Sequence, residues 1–270
     1  MSDNLQIPGV ATGRFRPFAE ILLSLQFLTR LPIPFARTID PVPLAQAMRF
    51  FSVAGALIAG STGLVFLGLR LLHVPAFVAA AITVATGMMI TGALHEDGLA
   101  DSSDGLFGGK TREERLEIMR DSRIGSYGAS ALILALLMRV ALLQSLGELP
   151  ALPLLTILAS AGAFSRAMMV DLLWATRPAR RDGLSALAGR PTRATAFFAI
   201  VTGGALVIAA GFEIDHTESG LIAIAVATAI TGLIRALASR LLGGQTGDVC
   251  GATQVLSELG LLTVFAAIIN

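Results

Sequence analysis

Seven times along its 270 residues the chain runs for close to twenty residues with almost no charge, and its charged residues gather between those runs. As a helix, a run of that length crosses a hydrocarbon core about 30 Å thick, and a helix satisfies its own backbone groups where no water can. The runs fall at roughly 52–72, 76–94, 129–146, 153–174, 196–212, 221–240 and 252–269. They predict an all-α fold: a polytopic integral-membrane bundle of about seven transmembrane helices, forming one domain over residues 1–270. The chain is 54% hydrophobic and 14% charged, with a mean hydropathy of +0.74, whereas soluble domains carry about 25% charged residues. Ahead of the first run, FAEILLSLQFLTR spaces Phe18, Ile21, Leu22, Leu25 and Leu28 as one helical face, which predicts an interfacial helix of about three turns within an interfacial segment 1–50.

Basic residues set the orientation. Outside the runs they cluster in the first fifty residues (Arg14, Arg16, Arg30, Arg37, Arg49), in 95–128 (Lys110, Arg112, Arg115, Arg120, Arg123) and in 175–195 (Arg177, Arg180, Arg181, Arg190, Arg193). The alternate connections, 73–75, 147–152 and 213–220, have none. Seven crossings put all three basic regions on one side, and the positive-inside rule makes that side cytoplasmic, so a bacterial inner-membrane location is expected. Loop 241–251 falls on the same face. No removable signal peptide is expected, because residues 1–18 lack an apolar core. The single cysteine, Cys250, excludes an intrachain disulfide. A net charge of +1 without a basic stripe gives no sign of a nucleic-acid partner, and no internal repeat points to a repeat-built transporter.

The acids are concentrated in HEDGLADSSDG, 95–105. On a helix Asp97, Asp101 and Asp104 share one face within about 60°. Three like charges there repel unless a cation neutralises them, and hard carboxylate oxygens suit Mg2+ or manganese rather than zinc. Gly98 and Gly105 weaken the helix and would let a large ligand approach the backbone. His95 adjoins the acids as a candidate general base. Downstream, FGGKTREERLEIMRDSRIGSYG predicts an amphipathic surface helix ended by Gly125 and Gly128, whose arginine forks match phosphate oxygens. The glycine-rich GGQTGDVCGA, 243–252, offers backbone N–H groups and Asp248. Arg139, Arg166 and Asp171 fall inside spans, where charges usually face the bundle interior.

These motifs together resemble the adenosylcobinamide-GDP ribazoletransferases, also called cobalamin-5'-phosphate synthases. The resemblance rests on FLTRLPIP at 27–34, HEDGLADSSDGLFGG at 95–109, RLEIMRDSRIGSYG at 115–128 and GGQTGDVCGA at 243–252, in that order with spans between. It implies a transferase that joins adenosylcobinamide-GDP to alpha-ribazole or its 5'-phosphate and releases GMP. Phosphoryl transfer asks mainly for positioning and charge neutralisation. On that reading Asp97, Asp101 and Asp104 hold magnesium and Asp248 adds a ligand or orients the nucleophile, while His95 takes the proton. Arg112, Arg115, Arg120, Asp121, Arg123, Arg166, Gly244, Thr246 and Gly247 are then the substrate-binding candidates, with 95–128 and 241–251 as the active-site loops. The expected partners are the two substrates, the lipid bilayer, and a second copy of the chain or other corrinoid-pathway enzymes. A looser similarity links Asp101-Ser102-Ser103-Asp104-Gly105 to the D-x-x-D-G of CDP-alcohol phosphotransferases, although their following A-R is Gly108-Gly109 here. A permease with the carboxylates as a cation site is the alternative of a different class, and the position of the acids at a span end argues against it.

Overall fold

A computed structural model describes residues 16–32, 42–180 and 183–269, all helical apart from turns and one isolated bridge. Arg14, Arg37, Arg181 and the end of FLTRLPIP lie outside the described residues. α1 (Pro17–Leu28) is followed by the short α2 (Leu44–Ala47), which passes through a 3-10 turn into α3 (Phe51–Leu71). Then come α4 (Ala76–Thr91), α5 (Leu94–Gly108), α6 (Arg112–Ile118), α7 (Ser126–Leu146), α8 (Ala151–Ala175), the short α9 (Leu184–Ala188), α10 (Arg193–Glu213), α11 (Thr217–Leu242) and α12 (Gly247–Ile269). Six segments are long and apolar enough to cross a membrane: Leu44–Leu71, α7, α8, α10, α11 and α12.

The second predicted span is the one that changes. The run 76–94 is broken: α4 ends at Thr91, and Gly92 and Ala93 both adopt left-handed φ (67° and 55°), which turns α5 by 90°. Together α4 and α5 form a bent apolar pair, a seventh segment if the pair counts as one span; α5 packs on α12 and α7. Arg30 covers the corner, since its N–H donates to Ile90 O at 2.7 Å and its side chain fills the space a Cβ on Gly92 would need.

α8 is the central helix, with 78% of its most apolar window buried, against 22% for α7. It packs so closely on α3 that a Cβ on Gly55 would overlap Gly162 O, and one on Gly162 would lie 2.5 Å from Ala59 Cβ. Small residues do this in membranes because association there depends on close packing rather than on expulsion of water.

α1 meets the bundle through polar as well as apolar residues. Glu20 and Ser24 are buried, Glu20 accepting from Gln46 Nε2 at 2.8 Å and pairing with Arg49 at 2.8 Å, while Phe18 is 71% exposed. Leu28 is fully buried and Leu25 packs on the core, so both kinds of residue hold the helix and its first turn carries the outward-facing ring. In lipid this is the favourable arrangement, because polar groups need protein partners.

Candidate active site

The basic end of the bundle is tied together by backbone and arginine contacts. Loop 243–246, much shorter than the predicted 241–251, pairs with the connection after α8: Gln245 N donates to Arg177 O at 2.9 Å and Ala179 N to Gln245 O at 2.7 Å. Gly244 lies so close to Arg177 O that no side chain would fit. Arg112 fastens this pairing to α6, its Nε donating to Leu242 O at 2.7 Å and its Nη2 to Ala179 O at 2.5 Å. The result brings Arg180 and Asp248 together, with Nη2 to Oδ2 at 2.9 Å.

Asp248 sits in the first turn of α12, where the helix dipole favours an anion. Thr246 holds it in place: its hydroxyl donates to Asp248 Oδ2 at 3.1 Å and accepts from Val249 N at 3.2 Å. α5 crosses this turn with Gly98 against Asp248 and Gly251, where an added Cβ would lie 2.7 Å from Asp248 O. Gly98 therefore admits a helix rather than a ligand, and Gly105 likewise admits Met119 and the Arg115 backbone; the ligand-approach expectation is corrected at both. The crossing brings Asp97 and Asp101 beside Asp248. Burial, then the charges of Asp97, Asp248 and Asp104, push the Asp101 carboxyl up to about 7, against a smaller opposite pull from Arg180.

Asp104 is engaged elsewhere. Its Oδ2 accepts from Gly125 N at 2.7 Å and its Oδ1 from Gly128 N at 2.9 Å, so a carboxylate from α5 caps the start of α7. This corrects the extent of the surface helix. It covers only Arg112–Ile118, opened by a Thr111–Glu114 capping box, and Gly125 and Gly128 begin α7 instead of ending α6. Arg115 donates to Leu106 O at the end of α5. Arg120 and Arg123 are exposed, and Arg123 pairs with Asp121 at 2.6 Å, which holds the Asp121 carboxyl down at about 2. Arg166 lies deeper, in a separate cavity, donating to Gly162 O at 3.1 Å. Gly247 opens α12 and lines the outer cavity described next.

Between α5, α12, α8 and the N-terminal segment is a cavity of about 710 Å³, mouth included. His95, Asp97, Arg180, Ser185 and Asp248 form its polar wall. Arg180 Nε and Nη1, Ser185 Oγ and His95 Nε2 are buried there without a hydrogen-bond partner. Unpaired buried donors are costly, and a guanidinium with free N–H groups beside a hydroxyl is suited to a phosphate oxygen. Arg180 and Ser185 were not singled out from sequence. Arg180 is one of three arginines in RPARR, and nothing local distinguishes it.

The model matched by the chain describes cobalamin-5-phosphate synthase and covers residues 20–266. The chain belongs to the cobalamin-5-phosphate synthase family. Curated relatives named adenosylcobinamide-GDP ribazoletransferase include those of Azorhizobium caulinodans, 41% identical over 92% of this chain and 95% of that one, and Xanthobacter autotrophicus, 43% identical over 90% and 94%. The Bradyrhizobium diazoefficiens relative of the same name is 41% identical over 97% and 98%. No solved structure matches. The match to the cobalamin-5-phosphate synthase family spans all four motifs and both walls of the cavity.

Family membership raises the question of a metal. Among the described residues no three carboxylate, imidazole or thiol groups are already gathered as a ligand set. The donors nevertheless fit a hard divalent cation in kind: three carboxylates, Asp97, Asp101 and Asp248, lie near enough for their charges to act on one another, and only Asp248 has an arginine ion-pair partner among the described residues.

A second buried polar cluster lies behind His95. Arg139 Nη1 donates to Glu96 Oε1 at 2.7 Å and Nη2 to Glu258 Oε2 at 3.2 Å, while Gln254 Nε2 donates to Glu258 Oε2 at 2.6 Å. With Arg166 they line an inner cavity of about 680 Å³ to which His95 also contributes. Arg139 was flagged from sequence as an in-span charge; its partners come from two other helices and could not be assigned from spacing.

Proposed function

We propose that this chain catalyses the last joining step of cobalamin assembly, transferring the corrinoid phosphoryl group of adenosylcobinamide-GDP to a hydroxyl of ribazole or its 5'-phosphate. The substrates are those in the relatives' names. The observation that carries the reading is the half-satisfied Arg180 in a cavity rich in carboxylates. In the reaction the ribose oxygen forms a bond to the corrinoid-linked phosphorus, the bond from that phosphorus to GMP breaks, and the hydroxyl proton leaves.

Asp97, Asp101 and Asp248 would hold the magnesium, with Asp104 one turn away shaping the helix end. When bound, that ion supplies charge neutralisation on the diphosphate. Arg180 directs Nε and Nη1 at the phosphoryl oxygens, and Ser185 adds a hydroxyl. His95, which lines both this cavity and the inner one, has an unpartnered ring nitrogen and is the candidate to take the hydroxyl proton. Thr246 and the 245/178 pairing fix Asp248 and Arg180 relative to each other, so the charge array is set before substrate enters. The basic connections support a cytoplasmic setting for this end of the bundle, on an inner membrane, by the positive-inside rule.

The test is reconstitution in liposomes with magnesium, adenosylcobinamide-GDP and ribazole, followed by mass spectrometry. GMP and the joined corrinoid nucleotide are the expected products. A phospholipid made from a CDP-activated donor, with no corrinoid product, would overturn the reading.

A further inference from the structure

The cavity has two unlike sets of lining residues, and the catalytic reading uses only one of them. Besides Arg180 and Asp248 it is lined by Phe27, Met48, Phe51, Met169 and Leu173. Phe27 and Phe51 stack with centroids 5.7 Å apart and planes 17° apart. Met48, Phe51, Met169 and Leu173 belong to the buried core, so this wall is backed by the packed bundle, while Phe27 is partly exposed at its edge. A polar cavity whose apolar lining is the Phe27 ring, stacked on buried Phe51 and flanked by two buried thioethers, suits a flat apolar group with an attached polar part.

We propose that this apolar wall is the seat of the acceptor's base, and that it selects the acceptor by the apolar surface of its ring. The inference rests on the function proposed above. Ribazole is a ribonucleoside whose base is a dimethylbenzimidazole, a flat bicycle with two methyl groups and one free ring nitrogen. Seated against Phe27 and Met169, it leaves the ribose hydroxyls pointing toward His95, Asp97 and Arg180. The other groups in the reaction suit the wall poorly. Guanine carries donors and acceptors along most of its edge, and the corrin ring is fringed with amides; both would leave polar atoms unpaired against hydrocarbon.

The experiment uses the full-length protein in liposomes. Transfer with ribazole is measured first in the wild type, and its absence would overturn the function itself. Given turnover, a photoreactive azidobenzimidazole riboside should label peptides containing Phe27, Met48 or Met169, and excess ribazole should suppress the labelling. Met169→Ala should raise KM for ribazole about tenfold, in line with the worth of one or two methylenes in a fitted apolar pocket. It should also shrink the preference for ribazole over the riboside of unmethylated benzimidazole, with KM for the corrinoid donor within about twofold of wild type. Met169→Leu, which keeps the volume, should restore most of the preference. Labelling confined to other helices in an active protein, or a KM change on the corrinoid donor alone, would overturn the base assignment and leave the reaction standing. If Met169→Ala fails to fold, the labelling of the wild type decides.

Discussion

Two clusters of charge share His95 as their common wall, the inner one the more deeply buried, and their balance differs. In the inner cluster Glu96 and Glu258 meet Arg139 and Arg166, two against two, and each carboxylate accepts a hydrogen bond from Arg139. In the outer one exposed Asp97 and half-buried Asp101 and Asp248 meet one arginine among the described residues, Arg180, whose Nε and Nη1 have no partner. A balanced cluster inside a membrane protein holds helices together, since each charge answers another. An unbalanced one that solvent reaches is left able to take up a charged ligand. The same contrast separates the arginines: Arg112 and Arg115 are engaged with helix-end carbonyls, whereas Arg180 keeps free donors facing a cavity.

The sharpest way to break this comparison is to unbalance the inner cluster. Arg139→Leu strands Glu96 and Glu258, and losing one partner of a buried pair costs about 3–5 kcal/mol. Thermal unfolding of the purified protein should show a large fall, and adding Glu96→Gln and Glu258→Gln should recover much of it. If Arg139→Leu unfolds like wild type, the inner cluster is not what binds α5, α7 and α12. Next in size is Arg180→Met, which should reduce kcat about 10²–10³-fold, the usual loss for one preorganised donor to transition-state charge, with little change in melting temperature. Turnover within threefold of wild type would remove Arg180 from the phosphate site.

Asp104→Ala should behave as the loss of a helix cap, costing about 0.5–2 kcal/mol of stability, with the magnesium concentration for half-maximal activity unchanged. A large rise in that concentration would instead return Asp104 to the metal ligands. The smallest effect is expected of Arg123→Ala. Its exposed pair with Asp121 points away from the cavity, so activity should stay within about twofold; a larger loss would mean that this turn folds onto substrate.

The spans were legible because hydrocarbon thickness imposes a length on every apolar run, and six of the seven proposed runs are continuous helices. The seventh contains the left-handed pair Gly92–Ala93, and an alanine there carries no turn signal. The acidic face of α5 was legible from spacing, as was the placing of Asp248 on the same end of the bundle. Which acid does what was not. Asp104 is set apart by two amide groups more than twenty residues away, and Arg180 by a bridge between distant connections. α1 was read correctly as a helix, but which of its faces meets the bundle depends on the surrounding solvent.

That helix has one further implication. α1 carries Phe18 outward at one end and, one residue before its last, Phe27 in the cavity wall. A rigid rod of twelve residues thus links the surroundings of the bundle to the rim of the catalytic chamber. Whatever presses on the outer side of α1, whether acyl chains under lateral tension or a detergent collar, would reach that rim without passing through the six long apolar segments. The lipid around this one helix is therefore part of the shape of the chamber.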